Sequence, residues 1–151
     1  MILLNDSLTQ NAEALIDKEI PLVSNLSNLS RLLYEGLNNV LWAGFYLSND
    51  KFDTLYLGPY QGPIACTTIP FNKGVCGISA YKKETIIVDN VHTFPGHIAC
   101  SSLSNSEIVV PIIKNNIVYG VIDIDSTVFN NFNKNDKIAL EYIANLIAEI
   151  M

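Results

Sequence analysis

Two apolar runs, Glu107 to Ile113 and Ile117 to Asp125, flank Lys114-Asn115-Asn116. Asparagine tolerates the backbone of a tight hairpin turn, so the pattern predicts two antiparallel strands joined there. A turn centred on Asn115-Asn116 puts Glu107 nearly opposite Asp125. Asp123 and Asp125 interrupt Val121-Ile122-Asp123-Ile124-Asp125, and residues two apart on a strand point to the same face. Three carboxyl groups then meet at one end of an apolar hairpin. They must be solvated, paired or functional. A strand-end turn with exposed acids fits the pattern, and so does a buried site. Clustered carboxylates raise one another's pKa, so one of them can keep a proton near neutral pH and donate it, or bind an ammonium group.

The remaining elements follow from periodicity. Leu8, Ala12, Leu15 and Ile16 recur at helical spacing behind Asn5-Asp6-Ser7, which reads as a cap. Pro21 breaks that helix, and Leu22, Leu26, Leu29, Leu33 and Leu37 mark the stripe of a second. Val40 to Leu47 reads as an aromatic-rich strand, Ser48 to Lys51 as a turn, and Thr54 to Leu57 as the returning strand. Gly58, Pro59, Gly62 and Pro63 predict a stiff loop leading to Cys66 and a short strand through Ile69. Gly74 to Tyr81 reads as a short helix with Cys76 near its N-terminus, and Thr85 to Val88 as a strand. Residues 89–106 form a polar segment long enough to suggest function. A helix with a broad apolar face, Ile138 to Ile150, closes the chain. This order predicts an α+β fold with an antiparallel sheet and helices on one face.

Composition narrows the class. A chain of 151 residues with 49% hydrophobic residues is expected to fold as one domain, 1–151, around a single core. The net charge of −6 makes nucleic acid a poor partner, because phosphate binding needs clustered Lys and Arg. No apolar run is long enough for a membrane span, and the N-terminus lacks the pattern of a signal peptide. The expected location is therefore the cytoplasm. In that reducing setting, three cysteines favour at most a transient disulfide.

Those cysteines, Cys66, Cys76 and Cys100, lie in a polar, carboxylate-rich middle region. Their spacing matches no zinc-finger or C-x-x-C pattern. They read either as small buried apolar side chains or as redox-active thiols, which need a positive charge or a helix N-terminus to ionise. His92 and His97 both fall in the long polar segment, where neither looks like a core histidine. A zinc-bound structural module is a further reading of the His and Cys together. Trp42 and Tyr46, four apart on the first strand, share one face as core or as a ligand wall.

Several strings in one order carry a family resemblance. They are Trp42-Ala43-Gly44-Phe45-Tyr46, Gly58-Pro59-Tyr60-Gln61-Gly62, Gly74-Val75-Cys76-Gly77, His92 through Cys100, Ser106 through Pro111, and Gly120 through Ser126. From about Leu41 to the last helix the chain resembles the free methionine-(R)-sulfoxide reductases, catalytic members of the GAF-domain family. The resemblance implies a GAF-like fold: a central antiparallel sheet with helices packed on it and the N- and C-terminal helices together. It implies that Cys100 is the nucleophile, Cys66 the main resolving cysteine and Cys76 a further member of the relay. Trp42 and Tyr46 correspond to the aromatic wall that holds the substrate methyl group. Glu107, Asp123 and Asp125 correspond to the acidic cluster that binds substrate and assists proton transfer. The implied substrate is free methionine-(R)-sulfoxide, with no bound cofactor or metal, thioredoxin as external reductant, and a homodimer as the usual assembly. Two rival readings remain at this stage, a GAF small-ligand sensor and a thiol redox sensor.

Overall fold

A computed structural model describes residues 4–97 and 102–151. Its centre is one antiparallel sheet of six strands: β1 (Val40–Ser48), β2 (Thr54–Gln61), β3 (Thr68–Pro70), β4 (Ile86–Val88), β5 (Ser106–Lys114) and β6 (Ile117–Ser126). Their order across the sheet is β3-β2-β1-β6-β5-β4. The hairpin predicted from Asn115-Asn116 joins β5 to β6, and both asparagines take positive φ, 53° and 65°. The turn pairs Lys114 with Ile117 and Ile113 with Val118, and a bulge between Ile112 and Ile113 then shifts the register by one and sets Glu107 directly opposite Asp125.

Four α-helices lie among the described residues: α1 (Leu4–Leu15), α2 (Leu22–Gly36), α3 (Gly74–Lys82) and α4 (Lys134–Ala148). Pro21 sits at the N-cap of α2, where its missing N–H costs nothing. A capping box between Asn133 and Asp136 starts α4. Asn5, Asp6 and Ser7 fall inside α1 instead of ahead of it, so the cap read from them is not one.

The period of two along the strands sorts two cores. Ala43, Phe45, Ile108, Val110, Ile122 and Ile124 face Leu26, Leu29 and Leu33 of α2 and Leu140, Ile143 and Ile147 of α4. Leu8 and Ala12 bring α1 into the same cluster, so the two terminal helices lie together. Trp42, Tyr46, Val109 and Val121 point the other way, into a cluster with Val75, Cys76 and Ala80 of α3. Helices therefore cover both faces, not one. Periodicity locates a helix's apolar stripe but not the sheet face it meets, and Gly74-Val75-Cys76-Gly77 is apolar all round.

Two further expectations are corrected. Thr54 begins a strand that runs to Gln61, through the segment read as a stiff loop. Gly58 and Pro59 together oppose the single residue Phe45, because Ala43 pairs Gln61 and Gly44 pairs Tyr60 while Tyr46 pairs Leu57. A bulge of this kind tolerates a residue without an N–H. The short strand expected from Cys66 starts at Thr68.

Candidate active site

Three central strands build the floor of a cavity by register alone. Trp42, Asp125 and Glu107 form one row across β1, β6 and β5. Gly44, Asp123 and Val109 form the next row. Tyr46 and Val121 lie beyond them. The acids read from the sequence thus converge, and the exposed strand-end alternative is overturned: Glu107 and Asp123 are each 5% exposed. The walls come from Trp42 and Tyr46, from Pro63, Ile64 and Ala65, and from Val75 and Cys76 of α3. The cavity has a volume of about 50 Å³.

The bulge in β2 adds a residue that sequence reading did not select. It turns Tyr60 onto Trp42, with ring centroids 5.0 Å apart, while Tyr46 stacks on the same indole at 5.7 Å. Gly44 makes this approach possible, since a Cβ there would lie 2.3 Å from Tyr60 Cβ. The Tyr46 hydroxyl donates to the Cys66 carbonyl oxygen at 2.9 Å, so the aromatic wall is tied to the cysteine-bearing loop. Cys66 is disulfide-bonded. Cys100, the expected nucleophile, lies outside the described residues.

Cys76 occupies the first turn of α3, as expected, but burial overrides any help from the helix terminus. The thiol is 4% exposed. Burial first, then Asp123 and Glu107, hold its pKa well above the ordinary thiol value. It is a protonated, free thiol near neutral pH.

Burial also raises all three carboxyl groups. Glu107 is pushed well above the ordinary range by burial and by Asp123 and Asp125. Asp125 is held high by burial and by Asp123, with partial relief from Glu107 and from the Ser104 hydroxyl, which donates to Asp125 Oδ1 at 3.4 Å. Asp123 is raised by burial and relieved by Glu107, Cys76 and His97. The cluster thus holds protons to higher pH than free carboxyl groups do.

His97 and Ser104 join the cavity, and no spacing in the sequence marks them for it. His97 Nε2 stands 3.9 Å from Glu107 Oε1. Burial holds that imidazole below its ordinary pKa, so the contact is between a neutral ring and a protonated carboxyl, not an ion pair. His92 does not take part: it is exposed, and its Nε2 meets Asn105 Oδ1 at 2.8 Å.

Two buried polar atoms of cavity residues have no partner among the described residues, the indole Nε1 of Trp42 and Oδ1 of Asp123. One is a donor and the other an acceptor. A ligand that satisfies both must bring an acceptor and a donor.

Comparison with known proteins places this geometry. Residues 25–151 match the GAF domain family. The free methionine-R-sulfoxide reductase of Escherichia coli is 44% identical over 144 residues, which cover 95% of this chain and 86% of that protein. The free methionine-R-sulfoxide reductase of Saccharomyces cerevisiae is 46% identical over 148 residues, 94% of this chain and 82% of that one. The chain belongs to this reductase family. A solved member, the free methionine-R-sulfoxide reductase of Neisseria meningitidis in complex with its substrate, has a TM-score of 0.90 at 40% identity. That match covers 98% of this chain and 87% of the Neisseria chain. Reductases of this family are oxidoreductases with a GAF fold, and the expected family and fold are both borne out.

Proposed function

We propose that this protein reduces free L-methionine-(R)-S-oxide to L-methionine, using Cys100 as nucleophile, Cys66 as resolving thiol and thioredoxin as the external dithiol. The observation that carries the reading is the convergence of Glu107, Asp123 and Asp125 in one cavity walled by Trp42 and Tyr46, with disulfide-bonded Cys66 tied to Tyr46. A free amino-acid sulfoxide supplies both partners the cavity lacks. Its sulfoxide oxygen accepts from the Trp42 indole, and its ammonium donates to Asp123 Oδ1. A methionine within a polypeptide has no ammonium to offer.

In the proposed sequence the Cys100 thiolate attacks the sulfoxide sulfur. Glu107 or Asp125 gives a proton to the oxygen as negative charge develops on it. The substrate S–O bond then breaks, the hydroxyl passes to the Cys100 sulfur, and methionine departs with the electron pair of the S–S bond, leaving Cys100 as a sulfenic acid. The Cys66 thiol condenses with it, releasing water and forming the disulfide. Thioredoxin then returns both sulfurs to thiols by exchange and becomes oxidised itself. Two electrons pass from dithiol to sulfoxide in each cycle. With Cys76 a free thiol, the observed disulfide of Cys66 fits this pairing. Cys76, in contact with Asp123, serves as a reserve thiol for the relay.

A single turnover with reduced enzyme in excess tests the assignment. Cys100→Ser should release no methionine. Release at the parental rate would transfer the nucleophile's role to another thiol.

A further inference from the structure

We propose that Cys76, Glu107 and Asp123 form a binding site for a thiophilic divalent cation of the zinc class. One sulfur and two carboxyl oxygens, one from each residue, all lie within 4.8 Å of one another. Small side-chain rotations bring such a set onto one ion with zinc–sulfur and zinc–oxygen bonds of about 2.0–2.3 Å. The three donors come from three elements, the first turn of α3 and the neighbouring strands β5 and β6, so the fold holds them at fixed separation. Asp123 lines the cavity and is 5% exposed, and its Oδ1 has no partner among the described residues. That orphaned acceptor is the independent sign of a missing positively charged ligand.

Charge points the same way. No Lys or Arg lines the cavity among the described residues, so nothing neutralises the acids from within. A thiolate with two carboxylates carries three negative charges, which a dication offsets more fully than any single ammonium. The thiol selects against magnesium and calcium, which prefer all-oxygen sites, and favours zinc. His97 Nε2, 3.9 Å from Glu107 Oε1, stands where it can orient the coordinated carboxyl from outside. On binding, the Cys76 proton and any proton held by the ligating carboxyls pass to solvent, with no change of oxidation state. The bound ion occupies the Asp123 oxygen proposed for the substrate ammonium, so the cation closes the site to substrate. Metal binding itself does not depend on the proposed reductase activity and is read without it.

The test uses cobalt(II) as a spectroscopic stand-in on the reduced Cys66→Ser/Cys100→Ser protein, in which Cys76 is the remaining thiol. A thiolate-to-cobalt charge-transfer absorption should saturate at one equivalent per chain and collapse when zinc is added. Asp123→Asn on that background, which keeps the side chain's shape, should weaken cobalt binding by about tenfold or more. Absence of a saturable charge-transfer band would overturn the proposal. So would unchanged affinity in Asp123→Asn. A band that persists in Cys76→Ser with the other thiols intact, but is missing from the double variant, would put the metal on the redox pair and also overturn it.

Discussion

Glu107 concentrates the chemistry of the site, since it touches both aspartates, lies 3.9 Å from His97, and is buried. Its raised pKa has a consequence for stability. The unfolded chain ionises Glu107 at about pH 4.3, whereas the folded chain keeps it protonated to higher pH. The folded state therefore binds more protons across that window, and stability falls as pH rises through the folded pKa. His97, whose pKa is lowered, acts in the opposite direction below about pH 6.5, so the clean window lies above it. Glu107→Gln should lose less thermal stability than the parent between about pH 6.5 and about pH 8. Melting curves at the two pH values check this, and parallel losses would contradict a protonated Glu107. The same substitution should slow methionine release in a single turnover by about 100-fold or more, as expected of a lost general acid. Cys66→Ser, in contrast, should leave the first turnover intact and slow recycling by thioredoxin. Undiminished steady-state turnover in that variant would make Cys76 the resolving thiol.

At the scale of elements, the placement of α3 decides where Cys76 meets the acids. Gly77 lets the helix press onto the end of β3, because a Cβ there would lie 2.3 Å from the Pro70 carbonyl oxygen. Two effects compete in Gly77→Ala. Alanine gains about 1 kcal/mol of helix propensity. A clash with backbone at 2.3 Å cannot be relieved by a rotamer change, and overpacking costs about 1–3 kcal/mol. The clash should win, lowering the melting temperature and displacing Cys76. A variant as stable as the parent would mean that α3 slides freely on the sheet. This contact was not legible in the sequence, since neither Gly77 nor Pro70 carries a pattern that names its neighbour. The Glu107–Asp125 pairing was legible to within one residue: the turn at Asn115-Asn116 alone would set Glu107 opposite Ile124, and the bulge between Ile112 and Ile113 shifts it to Asp125. Tyr60 escaped selection for a local reason. Gly58 and Pro59 resemble a loop when read alone, and only their pairing opposite Phe45 shows that they form a bulge in a continuing strand.

Across the whole molecule, the sheet is covered unequally, and that inequality makes the site. Three helices of 12, 15 and 15 residues seal one face around Phe45, Ile122 and Ile124. A single helix of 9 residues covers the other face and leaves the cavity beside it. The apolar stripes of the long helices announced the first face in the sequence. The second face is built from contacts between distant segments, so His97 and Ser104 as cavity residues, and Tyr60 as the ring stacked on Trp42, became visible only in the folded chain. Among the described residues no helix is long and apolar enough to cross a membrane.

The central claim is that this cavity reduces one epimer of a free amino acid. The direct measurement is thioredoxin-coupled NADPH consumption with free methionine-(R)-sulfoxide, free methionine-(S)-sulfoxide and a peptide-bound sulfoxide offered separately. Turnover confined to the free R epimer is the expected result. Equal turnover of the peptide-bound sulfoxide would contradict the role of Asp123 in reading the ammonium, and no turnover of any sulfoxide by fully reduced protein would contradict the reductase itself.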